Sequence, residues 1–446
     1  MFRILITLFL ANVILLPAVQ ADDLRNIVMS QRDQNDLRNS ITEERLDTLI
    51  PGIMRKEGID AWVLIGREYN DDPVMMTMVE AHRFTVSRRT VFIFLDHGEG
   101  SEKGVERLTI SRWGVGTFKP SWVPEEEPDQ WKRISDILKG FNPKKIGLNY
   151  SNNFALVDGL SATQRDAFMA ALPDDLKSRT VSAEKMGIAW IETRIPREME
   201  VYKDAATLAH GIIKEAFSAE VIKPGITTRQ DVVWWLRQRI HDLTLHTWFH
   251  GEIDIERSDR SKREISEKGL DPDVIYKGDH VHTDFGITYM GLQTDTQHNA
   301  YVLRDDETEL PASLKEALRQ GNQMQDILTD NFKVGRTGNE ILKRTREQSI
   351  SAGLDPIIYT HPMGLYGHSA GPTIGMWDQQ NGVPVNGDVP MAAHTVYAIE
   401  LTALVDIPEW SKEKMVMKLE EGGYFDGNKV SYIQPRQTEY IIIDPK

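Results

Sequence analysis

Two aspartates, Asp284 and Asp295, are the first residues in this chain whose type and spacing indicate chemistry. They lie in the stretch HVHTDFGITYMGLQTDTQH (residues 280–298), where an alternating apolar run leads into Asp284, turns at 289–291 and returns to Asp295. This pattern predicts a β-hairpin. A turn centred between positions 289 and 290 places the two aspartates directly opposite each other, with Cβ atoms roughly 4.5–5.5 Å apart. When two carboxylates lie this near each other, either the pKa of one of them is raised or the pair binds a cation. The alternative is that both are simply solvated.

Two histidines and two glutamates extend the set of candidate residues. His361 and His368 lie in HPMGLYGHSAGP, whose proline and glycines exclude a regular helix and allow close backbone approach. Glu400 interrupts the apolar strand pattern TVYAIELTALV, and Glu439 interrupts TEYIIID. An ionised glutamate in a buried strand needs a cation or several hydrogen-bond donors beside it. The alternatives are packed loop histidines and glutamates that face solvent on edge strands.

Composition limits the kind of site that these residues can form. The 446-residue chain has no cysteine, so disulfides, thiolate ligands and a cysteine nucleophile are excluded, and any metal must bind to His, Asp or Glu. A formal net charge of −15 argues against a nucleic-acid partner. The length favours two domains over one.

The first 21 residues have the pattern of a secretory signal peptide. Arg3 provides a charged start, residues 4–16 are almost wholly apolar, and Val19-Gln20-Ala21 offers small residues for cleavage. The apolar run is shorter than the ~20 residues of a membrane-spanning helix. We therefore expect export, to a periplasm or to the medium, with no membrane association after cleavage.

The remaining chain divides near residue 190. Residues 22–190 alternate helix-like and strand-like segments, which predicts an N-terminal α/β domain. In residues 191–446, two helix pairs recur: Lys223, Gly225 and Thr227 match Lys333, Gly335 and Thr337 at one constant offset. This repeat predicts a pseudo-symmetric domain of two similar halves. The charged stretch 254–273 between them is predicted to be a solvated loop.

Taken in chain order, the candidate ligands are two aspartates, one histidine and two glutamates: Asp284, Asp295, His361, Glu400 and Glu439. This order and spacing, with His368 seven positions after His361, resembles the metallopeptidase family of methionine aminopeptidase, aminopeptidase P, prolidase and creatinase. The resemblance covers residues 191–446. It implies an α/β (α+β) protein in which a creatinase-like N-terminal domain precedes a pseudo-two-fold pita-bread catalytic domain.

The resemblance also implies two divalent metal ions and a small peptide as substrate, and it leaves a homodimer open. Asp284 and His361 would each bind one metal, and Asp295, Glu400 and Glu439 would bridge or chelate between them. A metal-bridging hydroxide would attack the peptide carbonyl, Glu400 would take up the proton, and His368 would hydrogen-bond the developing oxyanion. Oxygen-rich ligation favours Mn, with Co, Fe and Zn as alternatives.

The predicted activity is that of a metallo-exopeptidase of the Xaa-Pro aminopeptidase or prolidase type. Two departures from the family put proline specificity in question: Gln437 stands two positions before Glu439, where prolyl-specific relatives have arginine, and Thr296-Gln297-His298 replaces a Thr-Arg pair. The upstream histidine is also missing, unless His250 replaces it. A creatinase-like hydrolase of small C–N compounds and a non-catalytic binding protein are the alternatives.

Overall fold

A computed structural model describes residues 21–410 and 413–444 of the chain. Nearly all of the predicted targeting segment, residues 1–20, therefore lies outside the described residues. Within the described part, no helix combines the length and apolar character needed to span a bilayer. The helices are α1 Ala21–Ile27, α2 Gln31–Thr48, α3 Ile50–Glu57, α4 Pro73–Met76, α5 Gln130–Phe141, α6 Ala162–Ala171, α7 Asp174–Lys177, α8 Glu184–Glu192, α9 Pro196–Ala216, α10 Arg229–Asp242, α11 Asp259–Lys268, α12 Ala312–Asp330 and α13 Gly338–Ser351.

Strands occupy both the N-terminal and the C-terminal parts of the described chain. They are β1 Ala61–Arg67, β2 Arg89–Asp96, β3 Val105–Ile110, β4 Lys119–Pro120, β5 Ile146–Leu148, β6 Thr180–Ser182, β7 Glu252–Arg257, β8 Asp279–Phe285, β9 Thr288–Tyr289, β10 Leu292–Gln293, β11 Thr296–Val302, β12 Pro356–Ile358, β13 His361–Met363, β14 Thr395–Ala398, β15 Leu401–Val405, β16 Met415–Leu419, β17 Gly422–Phe425, β18 Val430–Tyr432 and β19 Ile441–Ile443. The predicted α/β (α+β) class is confirmed.

The N-terminal part is built on one six-stranded sheet in the order β4-β3-β2-β1-β5-β6. Strand β1 pairs antiparallel with β2 and parallel with β5, so the sheet is mixed. Its central strands are buried, because apolar side chains cover both faces: Trp62, Phe92 and Phe94 on one, and Val63 and Ile93 on the other. The alternation of helices and strands predicted for this region is confirmed.

The first two helices pack against the C-terminal part of the chain. Leu24 and Ile41 belong to the same buried cluster as Tyr202 and Ile212 of α9. Gly211 of α9 makes room for Leu24, since a Cβ at that glycine would come within 2.4 Å of the leucine side chain. The N-terminal residues therefore help to fix α9 on the sheet behind the candidate site.

The predicted repeat is present in the C-terminal part. Each helix pair turns at a glycine in the left-handed region, Gly225 (φ 83°) and Gly335 (φ 81°). Helix α10 then begins at Thr228 and α13 at Thr337, each in a capping box. The first half has one additional residue between the glycine and the N-cap of the next helix. Thr228, and not Thr227, is therefore the equivalent of Thr337.

Residues 254–273 are not the solvated loop that their charge predicted. Strand β7 pairs with β8 in the register Asp254↔His282, and α11 follows with Ser258 as its N-cap. The strand is the edge of the sheet β19-β11-β8-β7 and carries charged side chains, as exposed edge strands commonly do. Ser261 is the one buried side chain of helix α11. A helix that buries so little apolar surface has a polar, charged sequence like that of a loop.

Candidate metal centre

A β-hairpin positions the two aspartates, as predicted, but its strands pair in a different register from the predicted one. Met290 (φ 52°) and Gly291 (φ 81°) form the two-residue turn, the left-handed pair that suits a tight hairpin. Asp284 is consequently paired with Gln297. Asp295 lies two positions before Gln297, so the aspartates are diagonal neighbours on one face rather than directly opposed. Diagonal neighbours still lie within reach of each other.

His361 and Glu400 come to the same place from the second half. His361 opens β13 and is paired with Ala398 of β14, and Glu400 lies two residues beyond that alanine. The Nε2 atom of His361 is 3.8 Å from Oε2 of Glu400 and 3.7 Å from Oδ2 of Asp295. Four of the five predicted metal ligands therefore converge in the structure.

The fifth predicted ligand, Glu439, is not part of this cluster, and Glu420 takes its place. Glu439 is exposed, two residues before β19 begins. Glu420 is only 1% exposed, and its Oε1 atom is 3.6 Å from Nε2 of His361. One oxygen each of Asp284, Asp295 and Glu420 lies within 4.8 Å of the others. The prediction that Glu439 joins the centre was wrong.

A sequence signal for Glu420 existed. The segment MVMKLEE alternates buried Met415, Met417 and Leu419 with partly exposed residues and ends in a carboxylate, as the segment before Glu400 does. Glu439 shares the carboxylate-next-to-apolar-strand pattern, but it precedes its strand on the exposed side. Pattern alone could not separate the two, because only strand pairing decides which end of a strand reaches the centre.

Four buried polar atoms in this cluster have no hydrogen-bond partner among the described residues: Oδ1 of Asp284, Oδ1 of Asp295, Nε2 of His361 and Oε1 of Glu420. Buried polar groups are normally paired, so several orphaned ones that face a common point indicate a missing partner. The Nδ1 atom of His361 lies 3.1 Å from the carbonyl oxygen of Pro362 and must donate to it, which leaves the Nε2 lone pair directed at the carboxylates. The donor set fits divalent cations.

The electrostatics of the cluster lead to the same conclusion. Burial and the charge of Glu420 raise the pKa of Asp284 to about 7, and burial raises the pKa of Glu420 to about 8. Burial and neighbouring carboxylates also raise the pKa values of Asp295 and Glu400. Cations would reverse these shifts, because positive charge favours the ionised carboxylates.

Gln297 is a further residue of the centre that sequence reasoning did not assign. Its Nε2 group donates to Oε1 of Glu400 at 2.5 Å and to Oε2 of Glu420 at 3.0 Å. Its backbone N–H also donates to the carbonyl of Glu420 at 3.1 Å. One amide therefore holds two carboxylates from separate segments of the chain, and it does so from the position paired with Asp284.

A polar chain continues from Gln297 away from the centre. The Oε1 atom of Gln297 is 2.9 Å from Nε2 of His282, whose Nδ1 lies 3.6 Å from Asp254. Asp254 also pairs with Lys418 at 2.7 Å, and these contacts lower the pKa of Asp254. With Glu420 as the last ligand, Lys418 rather than Gln437 stands two positions before it. His250 is exposed ahead of β7 and belongs to no such cluster of the described residues.

His368 lies at the solvent side of the centre. One ligand atom each of His368, His361 and Asp295 falls within 4.8 Å of the others. The His368 ring contacts His361 edge-on, with centroids 4.7 Å apart, and Trp248 with centroids 5.1 Å apart. The exposed imidazole is thus held between the buried ligands and an aromatic wall, as a substrate-facing residue would be.

Comparisons with known proteins identify the fold of the chain. No model of a known protein family matches the sequence, and no curated protein matches it by sequence. By structure, the chain is similar to the X-Pro aminopeptidase from Thermotoga maritima, with TM-score 0.59 and 18% identity over 88% of this chain and 99% of that one. This chain has the pita-bread fold.

Two further structures support the assignment of the fold. The Xaa-Pro dipeptidase from Bacillus anthracis matches with TM-score 0.55 and 17% identity over 93% of this chain and all of the other. The prolidase from Pyrococcus furiosus matches with TM-score 0.52 and 14% identity over 87% and 99%. The resemblance drawn from the sequence is confirmed at the level of the fold, and both parts of the chain take part in the match.

Proposed function

We propose that this protein is a dinuclear metal-dependent hydrolase of peptide bonds, an exopeptidase of the Xaa-Pro aminopeptidase or prolidase type. The observation that carries the proposal is the convergence of Asp284, Asp295, His361, Glu400 and Glu420 with four orphaned buried atoms among them. Four carboxylates balance the charge of two divalent cations. Oxygen-rich ligation with one imidazole suits Mn, with Co, Fe or Zn as alternatives.

The two cations would be held by these five side chains and would supply Lewis-acid activation of a water molecule and of the scissile carbonyl. Glu400 takes up the proton of the attacking water and delivers it to the leaving nitrogen. The hydrogen bond from Gln297 fixes one oxygen of Glu400 and leaves the other, 3.8 Å from His361, directed at the centre. Proton transfer thus has a defined acceptor atom.

His368 donates a hydrogen bond to the carbonyl oxygen as negative charge develops on it. Its exposure and its contacts with Trp248 and His361 support this role. The ring of Trp248 packs edge-on against the His368 imidazole and limits its orientations. Small peptides would reach His368 from the solvent, which is consistent with an exopeptidase acting on short chains.

Metal-free alternatives are less well supported. A creatinase-like hydrolase without metals would leave the carboxylates of Asp284, Asp295 and Glu420 buried against one another with no compensating charge, which is costly. A binding protein that retained the fold would not need Glu400 and His368 beside those carboxylates.

A peptide-library digest tests the proposal directly. Protein loaded with Mn is incubated with a mixture of dipeptides and longer peptides, with and without a chelator, and the products are identified by mass spectrometry. We expect removal of single terminal residues or cleavage of dipeptides, abolished by the chelator and restored by Mn. Chelator-resistant cleavage, or no cleavage by fully loaded protein, would contradict the proposal. Enrichment of proline at the cleaved bond would establish the Xaa-Pro type.

A further inference from the structure

A second cluster of ligand-type side chains lies on the other face of strand β11. Neighbouring residues of a strand point to opposite faces, so Gln297 faces the candidate metal centre and His298 faces α9. The same alternation separates Glu420, in the centre, from Glu421. His210 of α9 completes the second cluster. Its three members come from three separate segments, as the residues of a built site do.

The three side chains meet at short distances. Nε2 of His298 is 2.7 Å from one carboxylate oxygen of Glu421, and Nε2 of His210 is 3.0 Å from the other. The two imidazole rings are 4.7 Å apart at an angle of 68°. Glu421 and His298 are buried and His210 is largely so, with 3%, 9% and 20% of their side chains exposed. All three ligand atoms lie within 4.8 Å of one another.

A small cavity borders the cluster. It has a volume of about 10 Å³, adjoins His210 and Glu421, and is lined by polar residues such as Thr294 and Gln434 and by apolar ones such as Met363 and Ile433. That volume corresponds to about one water molecule. The backbone N–H of Gln437 donates to Oε1 of Glu421 at 3.0 Å, the oxygen that His298 also contacts, and helps to fix the orientation of the carboxylate.

We propose that His210, His298 and Glu421 bind a third divalent cation, of the zinc type, with water from the pocket as the fourth ligand. Two imidazoles and one carboxylate with an open position form a ligand set that Zn²⁺ adopts. This set differs from the oxygen-rich centre on the opposite face, so the two sites should select different metals. The proposal does not depend on the proposed peptidase function.

Metal binding would move the imidazoles away from the carboxylate. Zinc lies roughly 2.0–2.2 Å from nitrogen and oxygen ligands, so tetrahedral ligand atoms are about 3.3–3.6 Å apart. The two nitrogen–oxygen distances, 2.7 and 3.0 Å, run to different oxygens of Glu421, so both would lengthen as a cation enters between the rings and the carboxylate. Each ring would carry its proton on Nδ1 and direct the Nε2 lone pair at the cation. Without a cation, the same three groups form a hydrogen-bonded network.

Counting bound zinc separates these two states. The full chain is dialysed against Zn²⁺, and bound metal is measured by mass spectrometry in the wild type, in His210→Gln and in the control His241→Gln, whose side chain on α10 is 85% exposed. We expect His210→Gln to bind one equivalent fewer per chain than the wild type and the control. Equal zinc content in all three proteins would overturn the proposal.

Repeating the zinc measurement in a protein with an altered main metal centre makes the result independent of that centre. In Asp284→Asn protein, the peptidase centre is disabled while the second cluster is unchanged. We expect this protein to retain one zinc equivalent that is lost in the Asp284→Asn/His210→Gln double variant, and Co²⁺ at that site to give the visible absorption of a tetrahedral ion. Absence of both signals from folded Asp284→Asn protein would refute the third site even if His210→Gln failed to fold. Absence of peptidase activity from the metal-loaded wild-type protein, with zinc binding at the second cluster intact, would count against the proposed function alone.

Discussion

The two faces of strand β11 carry clusters of the same residue types in opposite states of hydrogen bonding. On the face of Gln297, four buried atoms of the ligand cluster are orphaned. On the face of His298, both oxygens of Glu421 accept hydrogen bonds from imidazoles. The first cluster is costly to bury without a cation, whereas the second is already satisfied. Orphaned groups therefore mark where a ligand is required, and satisfied groups where one is optional.

Loss of both metal and turnover is expected at the residue that replaced Glu439 in the centre. Glu420→Ala removes a buried carboxylate that faces His361, so metal content should fall and kcat/KM should drop by at least about a thousandfold. The control Glu439→Ala removes an exposed carboxylate and should leave kcat/KM within about twofold. Metal analysis and peptide hydrolysis measure both. The reverse pattern would restore Glu439 as the ligand.

His368→Ala separates binding of metal from turnover. The side chain lies at the solvent edge of the cluster, so the variant should keep its metal but lose about 10²–10³ in kcat through the missing hydrogen bond to the oxyanion. Glu400→Ala, by contrast, should abolish turnover. Metal content and kcat are measured on the same samples. Equal loss of metal in both variants would make His368 a ligand.

Gln297→Met tests whether the amide on the ligand face organises the centre. Methionine has a similar volume but cannot donate to Glu400 and Glu420, so metal affinity should weaken about 10–100-fold, with a matching loss of activity. Calorimetric titration of the metal-free protein measures the affinity. Gln320→Met, on the outer surface of α12, is the control. Unchanged affinity would mean that the five ligands are positioned by their strands alone.

Removing metal should reverse the pH dependence of stability. The pKa values of Asp284 and Glu420, about 7 and about 8, lie above their usual 3.8 and 4.5, so the folded metal-free protein binds protons that the unfolded chain releases. The contribution of these two groups to the free energy of unfolding should be fully present below about pH 4 and be lost as the pH rises through about 8.

Metal-loaded protein should gain stability over the same range, because its ligands must be deprotonated. Thermal unfolding with chelator or with Mn, from about pH 4 to pH 9, compares the two slopes. If stability depended on pH in the same way with chelator and with Mn, the cluster would not release protons when it binds cations.

The smallest effect on activity is expected for the second cluster, on the face of β11 that carries His298. Glu421→Gln keeps the size of the side chain but removes the charge that His210 and His298 share, which should cost about 1–3 kcal/mol of unfolding free energy. Peptidase activity should change only a few-fold. Chemical denaturation and activity assays measure both. A loss of activity as large as that of Glu420→Ala would show that the two faces act as one site.

Local pattern was sufficient for much of this protein. Apolar alternation predicted the hairpin at Asp284, and the succession of helix-like and strand-like segments predicted the α/β character of the N-terminal part. The repeat at Gly225 and Gly335 marked the turns before α10 and α13. Asp284, Asp295 and Glu400 stood out as carboxylates in apolar strand patterns, and the resemblance to the metallopeptidase family added His361 to the ligand set. These features depend on neighbours a few residues apart, so the sequence alone could determine them.

Tertiary structure decided the rest. The turn at Met290-Gly291 shifted the register, so Asp284 faces Gln297 and that amide joins the centre. Strand β7 formed from a charged segment because β8 offered it a partner. Glu420 and Glu439 each adjoin an apolar strand, and only the pairing of those strands brings one carboxylate inward and leaves the other in solvent. Contacts between segments far apart in the chain are set by packing and strand pairing, which local sequence does not encode.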